Sequence, residues 1–138
     1  MKKCFFLISF FIAFVANMNL KAETSSDEVF VMVEQMPEFP GGEQAFWNFL
    51  SSNMRYPVIA MENNIQGEVV VQFIVEKDGS ITDVQVVKSV DPSLDKEAVR
   101  LVRIMPKWQA GMQQGKPVRV KYLVPIKFTL GSKIKFRK

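Results

Sequence analysis

The sequence predicts an α+β domain: a two-layer sandwich in which a small antiparallel sheet of about three strands packs against a helix, with short N-terminal helices ahead of it. Three observations carry this. Apolar residues alternate at Val69, Val71, Phe73 and Val75, and the alternation resumes at Val84, Val86 and Val90. They alternate again from Val118 through Val120, Tyr122, Val124, Ile126 and Phe128 to Leu130. Between these runs, Leu94, Ala98, Leu101, Val102 and Met105 recur at helical spacing. Period two marks half-buried strands and period 3.6 marks an amphipathic helix.

Each element follows in order along the chain. "VFVMV" (Val29–Val33) suits a short strand, and "MPEFPGG" is a turn-rich loop. "GEQAFWNFLSSNM" places Ala45, Phe46, Phe49 and Leu50 on one helical face, with Trp47 beside it as core or covering lid. "RYPVIAMENN" puts Pro57 at the first turn of a brief helix, where its missing N–H costs little. The valine run then turns at Lys77–Ser80, with Asp78–Gly79 as the hairpin signal. Asp91 or Ser93 caps the next helix, Asp95 and Glu97 suit its positive end, and Pro106 stops it. "KWQAGMQQGK" reads as a loop before the last strand. Three strands do not stand alone in water, so the helix must cover one face, with Leu94, Leu101 and Met105 meeting Val69, Val71 and Phe73.

The start of the chain is a separate matter. "MKK", then the uncharged run from Cys4 to Leu20, then a small residue at Ala22 is the layout of a secretory signal peptide, residues 1–22. The alternative is an uncleaved anchor, for which seventeen residues is the short limit. In both cases the remainder is exported. Residues 23–42 are then a lead-in, 43–131 the domain and 132–138 a basic tail. The exported part has no cysteine, so an apolar core rather than disulfides must hold it.

Charge divides unevenly. With Lys2, Lys3 and Lys21 in the leader, the rest of the chain carries fifteen basic and fourteen acidic residues, which gives no reason to expect nucleic acid. No acid follows Glu97, while eleven basic residues do. The end of the chain is a basic surface on an acidic body. Edge protection and attraction to an acidic or anionic partner both account for it.

Little chemistry is available. Without histidine, and without cysteine outside the leader, the usual zinc sites and the Ser-His and Cys-His nucleophiles are excluded. Ser93 and Lys96 have Ser-x-x-Lys spacing, but Ser93 sits where a cap is needed. "PGG" lacks the pattern of a phosphate cradle. The expectation is a binding module with no catalytic residue, cofactor or metal.

The last strand raises a question. Thirteen residues at roughly 3.3 Å each reach about 43 Å, well beyond the usual strand length. Pro125 belongs on an edge or at a bulge. The strand follows a helix rather than a tight turn, so it lies beside the hairpin with its outer side open. An open edge is a liability unless it is used.

The order of motifs answers the question. Tyr56–Pro57 with Ala60, Gln66–Gly67 entering the valine strand, and Asp78–Gly79 come first. Leu94–Asp95, Pro106–Lys107–Trp108, Gly115–Lys116–Pro117–Val118 and Pro125–Ile126 with Phe128 follow. From Tyr56 to Leu130 the chain resembles the C-terminal domain of TonB energy transducers. "VEQMPEFPGGEQAFWNFL" resembles the lead-in of Bacteroidetes-type members.

The resemblance implies a periplasmic domain that grips the TonB box, an extended segment of TonB-dependent outer-membrane receptors, by strand addition. Carried over by position, the contacting residues are Asn53, Met54, Arg55, Tyr56 and Pro57, with Tyr56 and Pro57 closing over the partner. On the last strand Pro125 interrupts the edge, so pairing is expected over Val118, Arg119, Val120, Lys121, Tyr122, Leu123 and Val124, and the charges of Arg119 and Lys121 favour a carboxylate. The resemblance also implies an anchor and a long spacer. Residues 17–37 stretch only about 70 Å at ~3.5 Å per residue, and no Lys-Pro or Glu-Pro run is present. A free domain that occupies, protects or competes for boxes is therefore also expected, and contact with an inner-membrane motor is left open. Two rival functions stand beside these: a homodimer formed by edge pairing, and a cell-wall or anionic-surface binder using Lys133, Lys135, Arg137 and Lys138.

Overall fold

The computed structural model describes residues 28–131. The leader expected over residues 1–22 and the basic tail expected over residues 132–138 lie outside the described residues. Along the chain come β1 (Val29–Phe30), α1 (Glu43–Asn53), α2 (Val58–Glu62), β2 (Gly67–Val75) and β3 (Ile81–Lys88). Then follow α3 (Pro92–Arg103), β4 (Gly111–Gln113) and β5 (Lys116–Phe128).

The central sheet follows from the alternation. β2 pairs antiparallel with both β3 and β5, and the β5 register runs from Gly67↔Phe128 to Val75↔Val120. That register sets Val69, Val71, Phe73 and Val75 beside Ile126, Val124, Tyr122 and Val120 on one face. All but Tyr122 are buried, and Tyr122 is partly so. The opposite face carries Glu68, Gln72, Leu123, Pro125 and Lys127. A one-residue slip would turn every valine out to water, which is why the register is firmly specified.

The hairpin tip works through glycine. Gly79 has φ +88°, and a Cβ there would stand 1.9 Å from the Trp108 carbonyl oxygen. The Trp108 N–H donates to the Gly79 carbonyl at 2.8 Å, which ties the loop after α3 to the tip. Asp78 accepts from the Ser80 hydroxyl and N–H, and these bonds hold its carboxyl below the ordinary range. Past the tip, β3 shifts register in the region of Asp83 (φ +50°), which leaves Val84 and Val86 against the core and Val87 exposed. Val90 lies past the strand's end.

Helix α3 lies across the sheet. Asp91 caps it by accepting from the Ser93 N–H at 3.0 Å, with Pro92 at the first position. Its inner face is Leu94, Ala98, Leu101 and Val102, and Met105 joins just after the helix ends. Each fully buried aliphatic contributes about 1.5–3 kcal/mol, more than a partly exposed ion pair, so this layer sets the stability.

Two short strands depart from expectation. The stretch read as a loop contains β4, which forms a hairpin with β5 across Gln114 and Gly115. Both turn residues have positive φ, 52° and 74°, as a two-residue turn of the favoured hand requires. Of the strand expected over Val29–Val33, only Val29 and Phe30 pair, and they run parallel to β5 opposite Arg119 and Val120. Val31 and Met32 are exposed. Among the described residues the sheet therefore has five strands, three of them long.

Candidate functional site

Val120 has two strand partners, Val75 on one side and Phe30 on the other. β1 thus lies on the edge of β5 away from β2. Beyond it, from Lys121 to Phe128, no strand covers that outer edge among the described residues. The prolines set the phase. Met112 exchanges both backbone bonds with Gln35, at 2.8 and 3.1 Å, so the Met112↔Pro117 pair needs no donor from Pro117. Pro125 stands opposite Val70, where a missing donor is harmless only if its nitrogen faces the open side. Alternation then turns the N–H groups of Lys121, Leu123 and Lys127 outward as well.

A groove runs beside this edge. One hollow, of about 290 Å³, lies among Glu38, Phe39, Trp47, Tyr122, Leu123 and Pro125. A second, of about 660 Å³, continues from Trp47 and Pro125 past Leu50, Met54 and Lys127. The opposite wall is α1. Phe46 and Leu50 anchor α1 in the core, and Phe46 packs edge-on to Trp108 at 5.7 Å. The lead-in is held by a reciprocal pair of bonds between Glu38 and Gln109, at 3.0 and 2.8 Å. Trp47 is neither core nor lid. It stands 44% exposed on the groove rim, and Leu123 is 54% exposed.

The stretch Asn53–Pro57 is clamped to α3. The Arg55 N–H donates to Glu97 Oε2 at 2.7 Å, and Arg100 donates from Nε to Glu97 Oε1 at 2.7 Å. The same guanidinium reaches the Asn53 carbonyl at 2.7 Å. Glu97 is 8% exposed, and its carboxylate raises the pKa of Arg100. Sequence reading assigned Glu97 only to the helix dipole. The signal it offered was the Glu-x-x-Arg spacing. Asn53 donates to the Phe49 carbonyl, and Met54 faces the groove.

Tyr56 lies elsewhere than expected. Its ring is buried edge-on to Phe128 at 5.9 Å, its hydroxyl donates to the Ile65 carbonyl, and burial pushes its pKa up. It braces the domain from within. Pro57 lines a different hollow, of about 760 Å³, between α2 and α3, with Arg55, Lys96, Arg103 and exposed Val58 and Ile104 around it.

On β5 the expected residues divide. Val118 stands opposite Gly111 of β4, and Arg119 and Val120 stand opposite β1. Arg119 donates to Glu76 at 2.8 Å and holds that carboxyl below the ordinary range. Lys121 stands opposite Ile74 on the sheet face away from the helix. Lys121, Tyr122, Leu123 and Val124 belong to the uncovered stretch.

Comparison with known proteins gives the family. Residues 52–130 match the family model described as Gram-negative bacterial TonB protein C-terminal. Over 40 residues the chain is 52% identical to Protein TonB of two Helicobacter pylori strains, covering 29% of this chain and 14% of each relative's length. Two NMR solution structures of Helicobacter pylori TonB-CTD are also similar. One is 31% identical with a TM-score of 0.49, covering 66% of this chain and 86% of that one. The other is 30% identical with a TM-score of 0.45, covering 63% and 91%. With the family model spanning more than half of its residues, the chain belongs to the family of the TonB protein C-terminal domain.

Proposed function

We propose that this domain acts in the periplasm and grips the TonB box, an extended segment of outer-membrane receptors, by strand addition to the outer edge of β5. The observation that carries the reading is the stretch Lys121–Phe128, paired with β2 on one side and uncovered by any described strand on the other. Main-chain donors and acceptors on such an edge bind an extended peptide while asking little of its side chains. Family membership supports the same reading, because TonB proteins transduce energy for transport and are not an enzyme family. In this reading residues 1–22 direct export, Asn53 and Arg55 are clamped to α3 and Tyr56 braces the core as structural support, and Met54 faces the groove.

Titration of the isotope-labelled exported chain with synthetic peptides from receptor N-terminal segments tests it. Saturable shifts should concentrate on the amides of Lys121–Phe128. Shifts confined to the hollow between α2 and α3 would move the site there and overturn strand addition. Sedimentation of the chain alone should be independent of concentration; self-association through residues 121–128 would support the dimer instead.

A further inference from the structure

We infer that the groove selects an extended partner segment carrying a basic side chain at its Tyr122–Pro125 end and apolar side chains facing α1. The inference rests on the strand-addition reading and adds the chemistry of the partner. The wall made by the lead-in and by residues 43–51 of α1 lies before the region matched by the family model, residues 52–130. A strand laid along β5 sends every second side chain toward one face of the sheet. On the core side of the edge those side chains meet Trp47, Leu50 and Met54.

The charges of the groove are asymmetric. Glu68 and Lys127 are paired in the register and offset one another. Glu38 and Glu43 line the hollow beside Tyr122–Pro125, and among the described residues no basic one lines it with them. Among the described residues the Glu43 carboxylate receives only a long contact from the Trp47 indole N–H, at 3.4 Å. The basic residues of β5 do not reverse this field. Arg119 is joined to Glu76, and Lys121, which shares its sheet face with Leu123 and Pro125, does not line this hollow. The expectation of a carboxylate-bearing partner, drawn from those two residues, therefore gives way to a cationic one at this end. Complementary charge at a rim acts chiefly on association and specificity, and salt weakens it.

The test uses the full exported chain and eight-residue peptides of alternating threonine and valine, with one lysine, glutamine or glutamate moved along them. At low salt the best lysine peptide should bind about three- to tenfold more tightly than its glutamate counterpart, a rim-charge effect that shrinks with added salt. Glu38→Gln with Glu43→Gln should abolish that preference. Trp47→Ala should weaken all the peptides together. Both variants alter exposed positions, and unchanged thermal unfolding confirms that they fold. If the amides of Lys121–Phe128 shift but lysine and glutamate peptides bind equally, the inference is overturned and strand addition stands. If those amides do not shift with any peptide, both are overturned.

Discussion

Phe30 stands opposite Val120 in a parallel pair, so the chain's own lead-in holds the edge of β5 just before the uncovered stretch begins. Val29 and Phe30 are only half-buried, and Val31 and Met32 after them are exposed. A partner strand longer than the open stretch must meet this obstacle.

β1 should therefore act as a register stop. Deleting residues 23–32 should leave binding of an eight-residue peptide unchanged and strengthen binding of a ten-residue one. Two more positions of β5 become available, and each added main-chain hydrogen bond contributes about 0.5–1.5 kcal/mol. Calorimetric titration of both peptide lengths measures the difference. Equal gains for both would mean that β1 does not set the register.

The phase of β5 gives a sharper expectation. The amides of Lys121, Leu123 and Lys127 should exchange quickly with solvent, and those of Tyr122, Val124, Ile126 and Phe128 slowly. Lys121→Pro should then leave the domain folded and weaken the peptide, since it deletes an outward donor. Val120→Pro should cost about 1–3 kcal/mol of stability, because it removes an inward donor and leaves its buried acceptor unsatisfied. Hydrogen exchange and circular dichroism check both. Fast exchange at Tyr122 and Val124 would reverse the phase.

The clamp between Glu97 and the segment before Tyr56 should be structural. Arg100→Ala should lower stability by about 1–3 kcal/mol, since it removes charge-assisted bonds to Glu97 and to the Asn53 carbonyl. Urea unfolding measures it. A loss of peptide binding with stability intact would instead give Arg100 a direct contact.

The Glu76–Arg119 pair sets a pH expectation. The folded-state pKa of Glu76 is lowered, chiefly by the hydrogen bond from Arg119. A lowered acid stabilises the fold above its unfolded value, and the contribution is lost as pH falls through the folded one. Glu76→Gln should thus cost about 0–1 kcal/mol at neutral pH, as a partly exposed pair does. The gap from the parent should close at acidic pH, below the usual glutamate range. Urea midpoints across pH follow it, and a gap that widened on acidification would refute the assignment.

Much of this protein is legible in the chain itself. Alternating valines name both the strands and their buried faces, because a pleated strand between helix and water sorts side chains every second residue. The Asp78–Gly79 turn and the cap at Asp91 are local bargains between a side chain and its own backbone, and the sequence carries them whole. The ordered motifs from Tyr56 to Leu130 carry the family. What tertiary structure alone decided are choices of partner across long separations. Phe30 has no local pattern that names Val120, since a two-residue strand gains its stability from the edge it joins. β4 is three residues long and signalled only by its Gln114–Gly115 turn. The Tyr56 ring is drawn inward by Phe128 and the Ile65 carbonyl, although its place beside Arg55 and Pro57 reads as surface. Glu97 finds the Arg55 amide 42 residues away, and α1 becomes a wall of the groove only because Phe46 and Leu50 are buried against the sheet. Periodicity records which way a side chain faces, while packing decides what it faces.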